Sequence, residues 1–334
     1  MIAIKDYKIM GFGTPIVDYV AYVPEEFVQN IDGEKGGMVL VDNETQSKLL
    51  ASIDVEISGA PGGSAGNTIF GLAKLGVKSK LLGQLGGDEA GVYYRDSFVK
   101  LGGDPSAFFV DENNATGRCL SLVTPDSERT MRTCLSALTT LNIEKITEEL
   151  FADISHVHIE GYMASADELF CKVLECAKKA NCIVSLDLAS FEVVEFKREL
   201  LTKALSEYVD IVFANEDEAE KFCGTANVDE QIAKLSENCD IAVLKLGKDG
   251  AMIKMDDEEI VKVDANLVEA VDTTGAGDYW QCGFLYGLLN GYDLEKCGKF
   301  GSVLGAEVVS VMGAELSSEC WDLVQEKFRK IIAE

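Results

Sequence analysis

The chain is poor in several residue types that particular protein classes depend on. Its 334 residues include 2 histidines and 5 prolines, and no apolar run approaches the roughly 20 residues that a membrane helix requires. We therefore expect no histidine-rich zinc site and no membrane span. Basic residues number 30 against 57 acidic residues, a net charge of −27. This charge disfavours binding to nucleic acid, although it leaves room for a local basic pocket that takes an anionic ligand.

The cysteines and histidines carry little chemistry of their own. The ten cysteines are scattered without a C-x-x-C pair, so we expect reduced thiols, most of them in the core. Strand alternation places His156, His158 and Glu160 on one face, which we interpret as an ordinary strand face rather than a metal site. Charges near the N-terminus interrupt the apolar core that a signal peptide needs, so we expect a cytoplasmic protein.

Apolar segments alternate with amphipathic segments along most of the chain. The pattern predicts strands at 8–13, 80–86, 156–161, 182–188, 210–215 and 240–247, and helices at 64–76, 166–179, near 191–206 and near 216–223. Strands that alternate with helices indicate an α/β fold whose mainly parallel sheet is covered on both faces. Because no linker or repeat interrupts the chain, we predict a single domain over residues 1–334.

Two segments break this alternation. Residues 16–42 and 107–133 contain short β-prone pieces without crossover helices between them. We predict that they pair into a small antiparallel sheet that projects from the main body as a lid. The alternative is an edge extension of the main sheet.

Glycine clusters with polar neighbours follow two predicted strands, where open parallel sheets place their ligands. One is GFGTPIVDYV, which contains Asp18, and the other is GAPGGSAGNT, which contains Gly62, Gly63 and Asn67. A carboxylate, an amide and glycine N–H groups form a plausible clamp for vicinal hydroxyls, since each hydroxyl needs a donor and an acceptor. The alternatives are a loop aspartate and a glycine-rich turn that begins a helix.

A third cluster, VDTTGAGDYWQCGFLYGLL at 271–289, leads from small residues directly into an apolar helix. A Gly-Ala-Gly helix start leaves backbone N–H groups free and favours an anion. Asp278, in the first turn, is either a helix-favouring acid or a base beside a bound phosphate. A fourth cluster, KLGKDGAMI at 245–253, predicts a hairpin. Walker and Rossmann glycine motifs are absent, so phosphate binding at a helix terminus is the remaining prediction.

Five segments together resemble the motifs of the ribokinase-like, or PfkB-type, carbohydrate and nucleoside kinases. They are PGGSAGNTIFGLAKLG, GQLGGDEAG, ANEDEAEKF, LKLGKDG and DTTGAGDYWQCGFLYG, and their order and spacing match over essentially the whole chain. The resemblance implies an α/β fold built as a ribokinase-like three-layer sandwich, with a mainly parallel central sheet and a small β lid. It also implies an ATP-dependent phosphotransferase that uses Mg2+.

The resemblance also implies roles for individual residues. Asp278 matches the base that takes the proton of the acceptor hydroxyl during phosphoryl transfer. The anion hole that stabilises the transferred group is then formed by Gly275, Ala276, Gly277 and the N–H of Asp278. The matching acceptor-binding positions are Asp18, Gly62, Gly63 and Asn67.

On the nucleotide side, Gly247 and Gly250 match the loop that gives ATP access to the backbone. Asn215 and Glu218 match an N-x-x-E motif whose glutamate organises the water shell of Mg2+; an N-capped acidic helix is the alternative. Arg129 matches an arginine that approaches the phosphates from the lid in adenosine-kinase-like members. Arg132 competes for that role, and a surface ion pair is the alternative for either arginine.

Two segments indicate the acceptor. EKGGMVLVD and HIEGYMAS resemble stretches of adenosine-kinase-like members and favour a ribonucleoside with a primary hydroxyl, adenosine first. Tyr19, Phe27 and Met38 are candidates for a shelf that stacks on a base, or else form a small hydrophobic lid core. A sugar kinase with a fructose-like or ribose-like acceptor is the alternative, and a noncatalytic ligand-binding relative is a further one. We expect a monomer or a homodimer formed through the lid.

Overall fold

The computed structural model describes residues 8–126, 128–256 and 258–334, so residues 1–7, Ser127 and Asp257 of the predicted single domain lie outside the described residues. The strands are β1 (Lys8–Phe12), β2 (Ile16–Tyr22), β3 (Met38–Leu40), β4 (Ser58–Gly62), β5 (Lys78–Gly86), β6 (Phe108–Asp111), β7 (Gly117–Val123), β8 (Arg129–Cys134), β9 (His156–Glu160), β10 (Ile183–Asp187), β11 (Ile211–Asn215), β12 (Ile241–Lys245), β13 (Ala251–Met255) and β14 (Val261–Val263). The α-helices are α1 (Glu25–Gln29), α2 (Asn43–Ala51), α3 (Ser64–Lys74), α4 (Glu89–Lys100), α5 (Asp167–Lys179), α6 (Phe191–Glu207), α7 (Glu216–Cys223), α8 (Val228–Ser236), α9 (Ala276–Leu289), α10 (Leu294–Val309) and α11 (Ser318–Ala333). The predicted strands and helices are therefore confirmed, with bounds that differ by a few residues.

The main element is a nine-stranded sheet in the order β14-β13-β12-β11-β10-β9-β1-β5-β6. Pairing is parallel from β12 through β6, and the hairpin predicted after 245 is confirmed as the antiparallel pair β12–β13. Parallel strands need long crossovers, which the helices between them supply. Their carboxyl ends consequently meet at one edge of the sheet, where ligands bind in folds of this type.

Helices cover both faces of this sheet and form two separate hydrophobic cores. One core packs α5, α6, α7 and α8 against the sheet and includes Phe170, Leu201 and Ile232. The other packs α3, α4, α9, α10 and α11 against the opposite face and includes Leu72, Phe284 and Val324. The three-layer sandwich and mainly parallel sheet that were predicted are thus confirmed.

A second, five-stranded sheet has the order β3-β8-β7-β2-β4, and we call it the small sheet. Its pairs alternate, since β3–β8 and β7–β2 are parallel while β8–β7 and β2–β4 are antiparallel. The prediction of an antiparallel sheet was therefore wrong. Strands β2 and β7 are parallel because the chain passes through the main body between them. A third hydrophobic core, built around Leu120 and Leu122, packs this sheet against α1 and α2.

The predicted bounds of the lid also need correction. Phe108–Asp111 was assigned to the lid, but it pairs in parallel with β5 at the edge of the large sheet. For this piece the alternative, an edge extension, is what the structure has. Conversely, β4 joins the small sheet from outside the predicted segments, because the chain returns past β2 before α3 begins.

Two expectations from composition concern the rest of the chain. All ten cysteines lie within the described residues and are free thiols, most of them buried. None of the helices in the described ranges is long and apolar enough to cross a membrane.

Candidate active site

The carboxyl ends of four neighbouring strands each carry a polar side chain. Glu160 ends β9, Asp187 ends β10, Asn215 ends β11 and Lys245 ends β12, and the register places Asp187 beside Glu160 and Lys245 beside Asn215. Asn215 and Lys245 line one cavity together with Ala276 and Gly277, at the start of α9, which belongs to the 271–289 cluster. The candidate site is therefore built where the strands of the large sheet end.

Asp278 lies in the first turn of α9, held by two hydrogen bonds from α3. The hydroxyl of Ser64 donates to Oδ1 at 2.7 Å, and Nδ2 of Asn67 donates to Oδ2 at 2.8 Å. Gly275 precedes the helix with φ of 75°, a conformation that favours glycine. Burial raises the pKa of Asp278 to about 6, against the lowering effect of the bonds from Asn67 and Ser64. The carboxyl group is therefore mostly ionised at neutral pH but close to titration.

Asp18, on β2, lies near Asp278 and beside the glycine pair. A Cβ on Gly62 would stand 2.0 Å from Oδ2 of Asp18, and a Cβ on Gly63, whose φ is 90°, would stand 2.1 Å from the carbonyl oxygen of Thr14. Only glycine fits either position. Burial, and then the negative charge of Asp278, raise the pKa of Asp18 to about 7, while Arg129 opposes this. The structure thus brings together the predicted acceptor-binding residues and Asp278.

The two competing arginines lie on opposite faces of the small sheet. Side chains alternate along β8, so Arg129 and Arg132, three residues apart, point to different sides. Register places Arg129 on the side of Asp18, which we call the Asp18 face, and its guanidinium pairs with Asp272 at 2.9 Å. Arg132 is buried on the other face and donates to the backbone oxygens of Gly37, Met131 and Asp32. Arg132 is therefore a structural residue of the small sheet, and Arg129 alone of the two faces the site.

Arg129 also donates to the hydroxyl of Thr274. Asp272, its ionic partner, accepts from the backbone N–H groups of Thr274 and Gly313. The guanidinium is consequently tied to the loop that precedes α9. The small sheet and the glycine start of the helix are linked by this contact.

A cavity of about 610 Å³ opens on the other side of the α9 start. Its inner end is formed by Lys245 and Gly277, and Leu267 and Val268, exposed on the loop before α9, add apolar surface at its outer part. The predicted residues that line it are Asn215, Gly247, Gly250, Ala276 and Gly277. A Cβ on Gly247 would meet nothing within 4 Å, which leaves that backbone accessible, whereas a Cβ on Gly250 would stand 2.0 Å from the oxygen of Val263.

Asn215 and Glu218 form a capping box at the start of α7. The Asn215 side chain accepts from the Glu218 N–H, and the Glu218 carboxylate accepts from the backbone and side-chain N–H groups of Asn215 at 2.8 and 2.7 Å. Burial, and then repulsion from Asp187, raise the pKa of Glu218 to about 7. The N-capped helix, the alternative interpretation, is thus present, and each carboxylate oxygen keeps a lone pair for a further donor.

His156, His158 and Glu160, which share one face of β9, are fully buried, and each has a hydrogen-bond partner. The hydroxyl oxygen of Ser185 lies 2.8 Å from Nε2 of His156 and 2.9 Å from Nδ1 of His158, and burial lowers the pKa of both histidines to about 3. Glu160 accepts from the N–H groups of Thr14 and Ala65 and from the Thr14 hydroxyl. Glu160 therefore joins the loop before β2 to the start of α3.

The three predicted shelf residues separate in the structure. Phe27 packs into the core beneath the small sheet, and Tyr19 lies on that same side, opposite Asp18 on β2. Met38 pairs with Met131 on the Asp18 face and is 54% exposed. Of the three, only Met38 shares the face of Asp18, because neighbouring residues of a strand point to opposite sides.

Three residues of the site were not identified from the sequence, namely Ser64, Asp187 and Lys245. Ser64 looks like an ordinary helix-start residue, and Lys245 falls inside the predicted strand at 240–247. The ammonium of Lys245 lies 3.1 Å from Oδ1 of Asp187, and a Cβ on Gly277 would stand 3.1 Å from it. Asp187 and Lys245 could have been found from their position in the sequence, since each of them ends a strand of a parallel sheet.

Known proteins share both the sequence pattern and the architecture. Residues 42–320 match the family model described as pfkB family carbohydrate kinase. A nucleoside kinase of Methanocaldococcus jannaschii is 30% identical over 274 residues, 80% of this chain and 85% of that protein. The structure of an adenosine kinase from Sinorhizobium meliloti has 28% identity and a TM-score of 0.84, covering 96% of this chain and 99% of its own. A probable sugar kinase from Rhizobium etli has 29% identity and a TM-score of 0.85, covering 97% and 99%.

The likeness to the two structures extends over both sheets, since they cover 96% and 97% of this chain. These similarities agree with the motif order found in the sequence, and the use of ATP follows from the kinase family. The chain is a kinase and belongs to the PfkB family of carbohydrate kinases.

Proposed function

We propose that this kinase transfers the γ-phosphate of ATP to the primary hydroxyl of a ribonucleoside, with adenosine as the first choice. The observation that carries the proposal is the position of Asp278. Its carboxylate is fixed by Ser64 and Asn67 at the helix start, with Asp18 on one side and the large cavity on the other. An acceptor on the Asp18 side and a nucleotide in the cavity would meet at this residue.

In the proposed reaction, Asp278 takes the proton of the acceptor hydroxyl. The acceptor oxygen forms a bond to the γ-phosphorus, and the bond from that phosphorus to the bridging oxygen breaks, so ADP leaves with the electron pair. Negative charge on the transferred group is stabilised by the N–H groups of Gly275, Ala276, Gly277 and Asp278. No side chain caps this helix start within the described part of the chain. The N–H of Ala276 already donates to the oxygen of Thr273 at 3.2 Å, so the donors of Gly275, Gly277 and Asp278 are the ones that remain available.

The nucleotide would lie in the cavity, with its phosphates toward Gly277 and its base toward Leu267 and Val268. Gly247 leaves its backbone accessible there, and Gly250 and Asn215 also line the cavity. The apolar outer part suits a base, which buries both faces on binding. From the small sheet, Arg129 would bring paired donors to the phosphates.

Mg2+ would bind at this site only together with the phosphates of the nucleotide. Among the described residues, no group of three or more acidic, histidine or cysteine side chains is arranged to hold a metal ion. Glu218 keeps free lone pairs after its bonds to Asn215, so it would hold the ion through water. When bound, the ion neutralises charge on the phosphate oxygens.

The acceptor would be clamped by Asp18, Gly62, Gly63 and Asn67. Asp18 accepts from a hydroxyl, and Gly62 leaves the space that the Asp18 carboxylate itself occupies. A nucleoside is favoured because Met38 and Leu40 leave apolar surface exposed on the Asp18 face, at 54% and 60%, where a base can rest. The likeness to a nucleoside kinase and an adenosine kinase supports the same choice.

A panel of nucleosides and sugars assayed for ADP release tests the proposal. We expect turnover with adenosine and other ribonucleosides, and little with fructose or ribose. Turnover of sugars without any of adenosine would favour the second candidate, a sugar kinase, which the likeness to a probable sugar kinase supports. Failure with every acceptor would favour the noncatalytic alternative, although the intact Gly275–Asp278 start argues against it.

A further inference from the structure

Lys245 places a positive charge at the inner end of the cavity. It ends β12, its side chain is 12% exposed, and it lines the cavity together with Gly277. A Cβ on Gly277 would stand 3.1 Å from the ammonium nitrogen. The ammonium therefore lies beside the first turn of α9, where the backbone N–H groups already favour an anion.

Three carboxylates keep this ammonium charged. Burial lowers the pKa of Lys245, but Asp187, Glu218 and Asp278 raise it by more, so the net shift is upward. A buried ion pair is weak evidence for a stabilising role, because desolvation offsets most of the attraction. A charge held at this position therefore calls for another explanation.

The ammonium also has donors to spare. It carries three N–H bonds, and within the described residues it makes one hydrogen bond, to Oδ1 of Asp187 at 3.1 Å. Asp187 is 6% exposed and ends β10, which is separated from β12 by β11. Its bond to the ammonium fixes the direction of the lysine side chain. Two donors remain for a ligand in the cavity.

We propose that Lys245 binds the terminal phosphoryl group of ATP and stabilises it during transfer, and that Asp187 positions the lysine for this contact. The proposal rests on the proposed function, in which the phosphates lie at the start of α9. Lys245 adds a point charge to the backbone donors of Gly277 and Asp278. Because charge on the transferred oxygens develops in the transition state, such a preorganised cation acts on kcat more than on substrate binding.

The test compares nucleotides that differ in the terminal phosphate. For Lys245→Met, calorimetry with Mg2+ and without acceptor should show ATP affinity reduced about tenfold or more, while ADP affinity changes less than about threefold. In steady-state assays kcat should fall by about 100-fold to 1,000-fold with little change in the acceptor KM. Lys245→Arg, which keeps the charge, should recover part of the lost kcat.

Lys254→Met is the matched control. Lys254 lies on β13, the neighbouring strand, is half-buried and donates to the hydroxyl of Ser236 at 3.1 Å. It does not line the cavity, so its variant should match the wild type in both affinities and in kcat. Asp187→Asn should lower kcat with ATP affinity largely kept, since the charge of Lys245 stays while its orientation is lost.

An equal loss of ATP and ADP affinity, or an unchanged kcat, would overturn the assignment of Lys245. If Lys245→Met fails to fold in a thermal melt, Lys245→Ala replaces it in the comparison of ATP and ADP affinities, and Asp187→Asn tests the loss of kcat. Failure of the proposed function gives a different result: a wild-type protein that binds ATP but turns over no acceptor. The nucleotide comparison still decides the role of Lys245 in that case.

Discussion

Ser64 should set the pH at which the enzyme becomes active. Its hydroxyl donates to Oδ1 of Asp278 at 2.7 Å, and this bond lowers the pKa of the carboxyl group, which burial raises to about 6. Ser64→Ala removes a donor that favours the ionised form, so the pKa must rise. A hydrogen bond to a charged group contributes about 1.5–3 kcal/mol. Because the bond from Asn67 remains in the variant, we expect a rise at the low end of this range, roughly one pKa unit.

This shift gives a rate difference that depends on pH. With pKa values of about 6 and about 7, the ionised fraction at pH 6 is about one half in the wild type and about one tenth in the variant. The variant should therefore show kcat/KM for the acceptor about fivefold lower at pH 6 and within about 10% of the wild type at pH 8. Titration of ATP itself cancels when the two proteins are compared at the same pH.

The assay is ADP release at saturating ATP between pH 5.5 and 8.5, with Ser47→Ala as control. Ser47 lies in α2, is exposed and donates to the oxygen of Asn43, so its loss should leave the profile unchanged. If kcat/KM falls by the same factor at every pH, the reasoning is refuted, because Ser64 would then position the Asp278 carboxylate without changing its ionisation. The reasoning is also refuted if the pH at which kcat/KM falls on the acidic side is the same in both proteins.

Three further predictions address the base, the acceptor site and the buried acids. Asp278→Asn should keep the calorimetric affinity for ATP while kcat falls by about 100-fold to 10,000-fold; turnover close to wild type would contradict the base. In Gly62→Ala the new Cβ would overlap Asp18, so we expect the acceptor KM to rise by about tenfold or more with ATP affinity unchanged. Burial raises the folded-state pKa values of Asp18, Glu160 and Glu218 to about 7, above their unfolded values. The stability that these three groups contribute is therefore full below about pH 4 and is lost as pH rises through 7. The melting temperature of the ligand-free protein should fall from pH 5 to 8, and less steeply in Glu160→Gln; an equal slope in both proteins would count against this account.

The main body was predictable because its signals are local. Each crossover helix has an apolar face of period 3.6 between two apolar strands, so element type and parallel pairing follow directly from the sequence. The small sheet offered no such signal. Phe108–Asp111 contains four residues, and nothing in them distinguishes an edge position on β5 from a place beside β7. Partner choice there depends on packing across distant parts of the chain.

The candidate site divides in the same way. Asp278 and its glycines stand in one continuous stretch, and the order of motifs predicted their neighbours Asp18 and Asn67. Lys245 and its partner Asp187 are 58 residues apart. Lys245 stands in the LKLGKDG segment, but Asp187 belongs to none of the segments that carry the resemblance. Their pairing exists only because β10, β11 and β12 end at the same edge. Strand-end position was the usable signal, whereas the resemblance drew attention to glycine positions instead.

The charge of the site has a consequence for the form of nucleotide that it accepts. Asp187, Glu218 and Asp278 surround one ammonium, that of Lys245, and the start of α9 adds about half a positive charge. The inner cavity is thus negative before a triphosphate arrives. Burial raises the pKa values of Glu218 and Asp278, and repulsion from Asp187 adds to that shift. Under the proposed function, bare ATP is repelled there, and a nucleotide that brings its own cation is favoured. The acidic residues then discriminate between the two forms, as like charges do when they exclude a wrong partner.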